Sequence, residues 1–282
     1  MGAANVIPGV SGGTMALILG IYEELIDAIH SLNLKFLRLL TFLKIREAIS
    51  SVSWPFLLPV GLGILLATLC LAKALSWLLH NYPVIVWSFF FGLILSSVFT
   101  VSRVIKEWRM PAFIGIGLGA VAAYFLFDLV PVATPNAPWF IFLSGFLAIC
   151  AMILPGVSGA YILVLLGKYH YILEAINNKD FGTILILIAG AFVGLLSFVR
   201  VIGWLLKRYH DLTMAILIGL MLGSLRKIWP WRETLTTFSE RHGKDVPVLP
   251  PSFNSEVGLA LLLMFVGFLV VFSLDFWARK KD

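Results

Sequence analysis

The pentapeptide Pro-Gly-Val-Ser-Gly occurs twice in this chain, at 8–12 and at 155–159, both times within apolar sequence. Proline costs about 3 kcal/mol in a helix interior and glycine about 1. At membrane depth such a break is tolerated only where protein or a wet cavity covers the freed backbone groups. The duplication extends well beyond the pentapeptide. An offset of 147 pairs Gly20 with Gly167, Tyr22 with Tyr169, Asp27 with Glu174 and Ala28-Ile29 with Ala175-Ile176. An offset of 127 then pairs Lys73 with Arg200, Trp77-Leu78-Leu79 with Trp204-Leu205-Leu206 and Tyr82 with Tyr209. Near the end of each half the offset of 147 returns, pairing Phe125 with Phe272 and Asp128 with Asp275. The first half carries an extra segment, 34–53, which the second half balances with a polar loop over 226–256.

Composition sets the solvent. Of 282 residues, 60% are hydrophobic and 13% charged, about half the charged share of a soluble domain. Several apolar runs exceed the ~20 residues that cross a bilayer core. These features predict an all-α polytopic membrane protein with no separate soluble domain. The net charge of +6 does not indicate nucleic acid, because the basic residues sit in short loops between spans. Cys70 and Cys150 lie in apolar segments and form neither a zinc motif nor a disulfide framework. The start of the chain has no basic n-region, so it does not read as a signal peptide, and Val6 stands where a myristoylation motif needs Ser or Thr.

The repeat predicts two halves in one membrane domain. The first, 1–131, holds a Pro-Gly-broken hairpin (1–30), an interfacial amphipathic helix (34–50) and spans near 54–80, 84–101 and 111–131. The second, 138–282, holds a hairpin (138–176) and spans near 183–206, 212–225 and 257–277. If each hairpin is re-entrant, each half crosses three times and the second half is inverted, as in many secondary transporters. With both termini cytoplasmic, 12 of the 21 basic residues fall inside and six outside, and Lys73, Lys168 and Arg200 fall within apolar segments. That asymmetry obeys the positive-inside rule. Parity would be the same if both arms of each hairpin crossed fully.

A Pro-Gly break followed by a new helix leaves backbone N–H groups unpaired at its start, and these attract anions. The candidate phosphate ligands are Gly9, Val10, Ser11, Gly12, Gly13 and Thr14 in the first copy, and Gly156, Val157, Ser158 and Gly159 in the second. The competing reading is a tight turn packed through small residues. Lys73 and Arg200 join the candidates as charges inside spans, although such side chains near helix ends also snorkel. Asp128 and Asp275, at equivalent positions, are expected to pair with the basic residue of their own half or to release it to hold a phosphate, and both are candidates for ion coupling. Glu23, aligned with His170, and Glu174 are candidates for carrying a coupling ion, a proton or sodium; the plainer reading is helix-end charges in water. No metal site or cofactor is expected.

The stretch "MGAANVIPGVSGGTMALILGIYEELIDAI" and its echo "MILPGVSGAYILVLLGKYHYILEAI" closely resemble the bacterial PopT family, formerly a membrane family of unknown function. The likeness covers nearly the whole chain. It implies a flippase in the bacterial cytoplasmic membrane that returns undecaprenyl phosphate from the outer to the cytoplasmic leaflet for wall synthesis. The partners implied are that lipid and the bilayer; a homo-oligomer is compatible with it. The second copy departs from the first at Ala160 and Tyr161, where the first has Gly13 and Thr14, so the two tips should not bind alike. The residues by themselves leave two rivals: a small-anion transporter or channel, and an intramembrane lipid phosphatase. The phosphatase is the weaker, because no cluster of acids and arginines with a nucleophile is apparent.

Overall fold

The computed structural model describes residues 1–2, 11–32, 36, 42, 44–235, 244–250 and 254–279. The described elements begin with α1 (Gly12–Ile18), α2 (Tyr22–His30) and α3 (Ile45–Ser50), then α4 (Trp54–Asn81), α5 (Pro83–Ser102) and α6 (Met110–Asp128). There follow α7 (Pro138–Ile153), α8 (Gly159–Leu165), α9 (Tyr169–Asn177), α10 (Phe181–Arg208) and α11 (His210–Ser224). A two-stranded antiparallel hairpin, β1 (Arg232–Leu235) and β2 (Lys244–Pro247), precedes α12 (Ser255–Arg279). The helical class is as expected; the hairpin in the polar loop is an addition. It is tied down by Trp229 Nε1, which donates to the Val248 carbonyl at 2.8 Å. The interfacial helix expected over 34–50 falls largely outside the described residues, and only α3 represents it.

Local geometry follows the sequence repeat. Each hairpin's second arm breaks again at a glycine with positive φ, Gly20 (+69°) and Gly167 (+63°), a conformation that suits glycine because it lacks a Cβ. The closing hydrogen bonds match residue for residue. Gly20 N–H donates to Leu17 and Ile21 N–H to Ala16; Gly167 N–H donates to Val164 and Lys168 N–H to Leu163. The long helices α4 and α10 also end alike. Tyr82 and Tyr209 share φ −135° with ψ 53° and 52°. Each stacks edge-on against a tryptophan one turn back, Trp77 or Trp204, with ring centroids 5.9 Å apart.

Among the described residues, five helices are long and apolar enough to cross a membrane: α4, α5, α6, α10 and α12. The sixth expected span is α11, and it has only 15 residues. At 1.5 Å per residue it reaches about 22 Å, short of the ~30 Å core. It sits instead in the middle of the protein, with Met214, Ala215, Leu217, Ile218 and Met221 all buried.

The packing interleaves the halves. Gly115 on α6 meets Leu212 on α11, and Asp128 at the end of α6 meets Arg226 just past α11, so these two helices run parallel. Gly92 on α5 meets Met264 on α12, and Arg103 just past α5 meets Asp275, so these two also run parallel. The core between them gathers Ala16, Ile26, Ile94, Val101, Val199 and Ile218. By contrast α4 lies outside it, and no residue of its Trp54–Leu71 stretch is buried. Its Leu62, Leu65, Leu66 and Leu69 are exposed, as suits a helix bathed in lipid.

Candidate functional site

Ser11 and Thr14, just after the first Pro-Gly, meet the second Pro-Gly break. The end of α7 leaves the carbonyls of Ile153 and Leu154 and the amide of Gly156 without helical partners, as any helix end does. The first copy supplies the partners. Ser11 Oγ donates to the Leu154 carbonyl at 3.0 Å, and Tyr22 Oη donates to the Ile153 carbonyl at 3.4 Å. Gly156 N–H donates to Thr14 Oγ1 at 2.9 Å. Ser11 also caps α1, accepting from Thr14 N–H at 3.2 Å. Ser11 and Thr14 are both buried, so each bond forms out of water, where an unmade one costs most. Gly13 makes the approach possible: a Cβ there would lie 2.3 Å from the Ile153 carbonyl oxygen.

The expected ligands therefore divide into two sets. Ser11, Gly12, Gly13 and Thr14 are buried and clasp the second break; Gly9 and Val10 lie outside the described residues. Of the second copy, Gly156 and Val157 are buried, with Gly156 at φ +81°, while Ser158 and Gly159 are half-buried. Ser158 begins α8 without a side-chain cap, and its hydroxyl has no partner among the described residues.

Beside the second break is a cavity of about 580 Å³ lined by apolar residues, among them Leu126, Leu129, Leu154, Val157, Ile162 and Leu220. Leu129 and Val132, which both line it, are exposed, so the cavity reaches the surface of the bundle. Tyr161 stands over this region, with its hydroxyl donating to the Leu126 carbonyl at 3.3 Å.

The charged candidates are placed differently from expectation. Lys73 and Arg200 are exposed on α4 and α10 and are neither hydrogen-bonded nor ion-paired among the described residues. Asp128 and Asp275 pair across the halves, not within them. Asp128 meets Arg226 at 3.3 Å, and Asp275 meets Arg103 at 3.4 Å. The reason is the packing order: each acid ends a helix whose closest neighbour belongs to the other half. Glu23 bonds His210 Nε2 at 3.0 Å, while His210 Nδ1 faces Asp211 at 2.9 Å; Asp211 in turn accepts from the amides of Lys106 and Glu107. Burial pulls the His210 pKa down, but its bonds to Asp211 and Glu23 and their charges outweigh that, so it lies above the ordinary histidine value. His170 and Glu174 are exposed on α9.

Reasoning from sequence missed Tyr22, Arg103, Arg226 and His210 as partners. The match of Tyr22 to Tyr169 was a signal for the first. The other three reveal themselves only through packing. Lys168 was noted as a basic residue in an apolar segment, and the structure explains how it is tolerated. It is 1% exposed, with Nζ bonding the Thr134 carbonyl at 2.7 Å and Asn136 Oδ1 at 2.6 Å.

Comparison with known proteins shows the family. Residues 1–246 match the VCA0040-like family, described as undecaprenyl phosphate translocase-like. The chain belongs to this family. A Vibrio cholerae relative named polyprenyl-phosphate transporter is 40% identical over 291 residues, covering 99% of this chain and 94% of the relative. A Staphylococcus aureus protein of the same name is 29% identical, covering 82% of this chain and 83% of its own. No solved structure matches. The family member described here is thus a multi-pass helical membrane protein.

Proposed function

We propose that this protein moves a polyprenyl phosphate, undecaprenyl phosphate in the first instance, between leaflets of the bacterial cytoplasmic membrane, from the outer to the cytoplasmic side. One observation carries the reading: the second Pro-Gly break, clasped by Thr14, adjoins a 580 Å³ apolar cavity that reaches the bundle surface. A lipid phosphate needs a polar place for its head while its tail remains in hydrocarbon. The backbone at Gly156–Gly159 and the hydroxyl of Ser158 would receive the phosphate. The cavity along Leu126, Leu154 and Val157 would take the first isoprene units. The family and the names of the relatives support this substrate class.

The alternation that transport requires is best served by an inverted repeat of 1–131 and 138–282. The parallel pairs α6 with α11 and α5 with α12 support it, since the repeat equates α5 with α11 and α6 with α12. If α5 and α6 run oppositely, as do α11 and α12, equivalent helices of the two halves point in opposite directions. Both termini are placed on the cytoplasmic side by the charge asymmetry. Coupling to a proton would run through Glu23 and His210 and not through Glu23 and His170, because the first pair touches.

The test is a leaflet-exchange assay in proteoliposomes with fluorescent polyprenyl phosphate. Purified protein should accelerate exchange of that lipid over an equally long polyprenyl alcohol. Equal rates for both would end the headgroup reading. Flux of inorganic phosphate or chloride without the lipid would favour a small-anion transporter, and release of phosphate from a polyprenyl diphosphate an enzyme.

A further inference from the structure

Arg226 marks a second place for a lipid phosphate, outside the second Pro-Gly break. The close approach of α6 and α11 leaves a groove on the outer side of that helix pair, of about 510 Å³, lined by Val121, Tyr124, Phe125, Leu222 and Gly223 and ending at Arg226. Its floor is low because a Cβ on Gly223 would lie 2.5 Å from that of Ala123. Its walls are the exposed side chains of Val121, Tyr124 and Phe125. At its end the Arg226 guanidinium lies 4.3 Å from the centre of the Tyr124 ring and 3.3 Å from Asp128 Oδ1. An apolar channel on the lipid-facing side that ends in a cation is complementary to one class of molecule, a lipid with an anionic head.

We infer that the α6–α11 groove is the docking site at which a phosphate-monoester lipid in the outer leaflet is first held, with Arg226 binding the phosphate and Asp128 keeping its place when the site is empty. This rests on the polyprenyl-phosphate reading above and deepens it. An arginine near the membrane is costly unless paired, so the empty site needs an acid. A phosphate monoester carries more negative charge than a carboxylate and accepts two parallel N–H bonds from a guanidinium. Exchange of Asp128 for phosphate therefore never leaves the cation bare. Lys227, the next residue, has Nζ 5.5 Å from the Tyr161 ring, on the side of the inner cavity. Consecutive cations thus lie against the Tyr124 and Tyr161 rings. The match at the other end is Arg103 with Asp275 and Phe272.

The experiment uses the full-length protein in phosphatidylcholine vesicles with a spin-labelled isoprenyl phosphate, and reads the motionally restricted fraction against the same chain bearing phosphocholine. The wild type should prefer the phosphate. Arg226→Gln should weaken that preference roughly tenfold, the scale of one charge-assisted hydrogen bond, and Arg226→Lys should restore part of it. Asp128→Asn should strengthen it, because the competing carboxylate is gone. A purely structural ion pair predicts instead that Asp128→Asn and Arg226→Gln harm the protein alike; that result, or no preference for phosphate, overturns the inference. Leaflet exchange in the same vesicles separates the two readings. Full exchange by wild type with an Arg226→Gln variant that still binds the phosphate lipid removes only this site. Failure of the wild type to exchange polyprenyl phosphate removes the function as well.

Discussion

The two copies of the Pro-Gly motif differ in what their described serines and their neighbours do. In the first, Ser11 and Thr14 are buried and spend their hydroxyls on the other copy. In the second, Ser158 is half-buried and its cap bond is unmade, with an apolar cavity alongside. The turn that follows differs too. Where the first copy has Ile21, the second has Lys168, holding the 129–137 segment through Thr134 and Asn136. Duplication has thus produced a division of labour, in which one copy braces and the other is left available. A break at membrane depth exposes polar backbone that something must satisfy. Here the second break is satisfied by the other half, through Ser11, Thr14 and Tyr22.

Substitutions can break this comparison. Gly13→Ala should have the largest effect. Its new Cβ would press on the Ile153 carbonyl, so α1 and the end of α7 must separate, at a cost of about 1–3 kcal/mol for overpacking alone; exchange of polyprenyl phosphate should be lost and thermal unfolding in detergent shifted down. The aligned Ala160 already carries a Cβ, so Ala160→Gly should leave both measurements near wild type. Next, Thr14→Val keeps the shape but leaves the Gly156 N–H buried without its acceptor, which costs about 1–3 kcal/mol. Unchanged unfolding of that variant would show that the clasp is not needed.

Ser158→Ala should invert the pattern. Stability should stay within about 0.5 kcal/mol, while exchange slows about tenfold from the loss of one hydrogen bond to a charged head. A drop in stability equal to that of Thr14→Val would mean that both copies are braces. The smallest effect should be on pH. His210 ties α11 to Glu23 on α2, and its pKa in the folded protein is raised. Its contribution is therefore complete below the ordinary histidine pKa and fades as pH rises through the raised value. The unfolding difference between wild type and His210→Gln should shrink across that window, and a constant difference would assign the contact no charge.

Much of the architecture was readable from pattern. The offsets of 147 and 127 anticipated which residues would end helices in the same way, down to Tyr82 and Tyr209. Gly20 and Gly167 were visible as a matched pair, yet their second break was not read, since one glycine in an apolar stretch is a weak signal. The extent of α11 was read closely, 212–225 against His210–Ser224, but a helix that short falls below the ~20 residues a span needs. For the site, the motif positions were legible and their partners were not. Lys73 and Arg200 attracted attention as buried-looking charges; both prove exposed, because hydrophobic neighbours in sequence do not reveal which face of a helix meets lipid.

What the sequence determined alone is the kind of molecule: its apolar length demands a membrane, and its twice-written helix break demands that polar backbone be covered inside it. Those are consequences of hydrogen-bond satisfaction and transfer energies, which depend on composition and order along the chain. Only the tertiary structure decided who covers whom. Ser11 with Leu154, Thr14 with Gly156, Asp128 with Arg226 and Asp275 with Arg103 join residues 98 to 172 positions apart. Such pairings are set by which helix faces pack together, and no local rule along the chain carries that information.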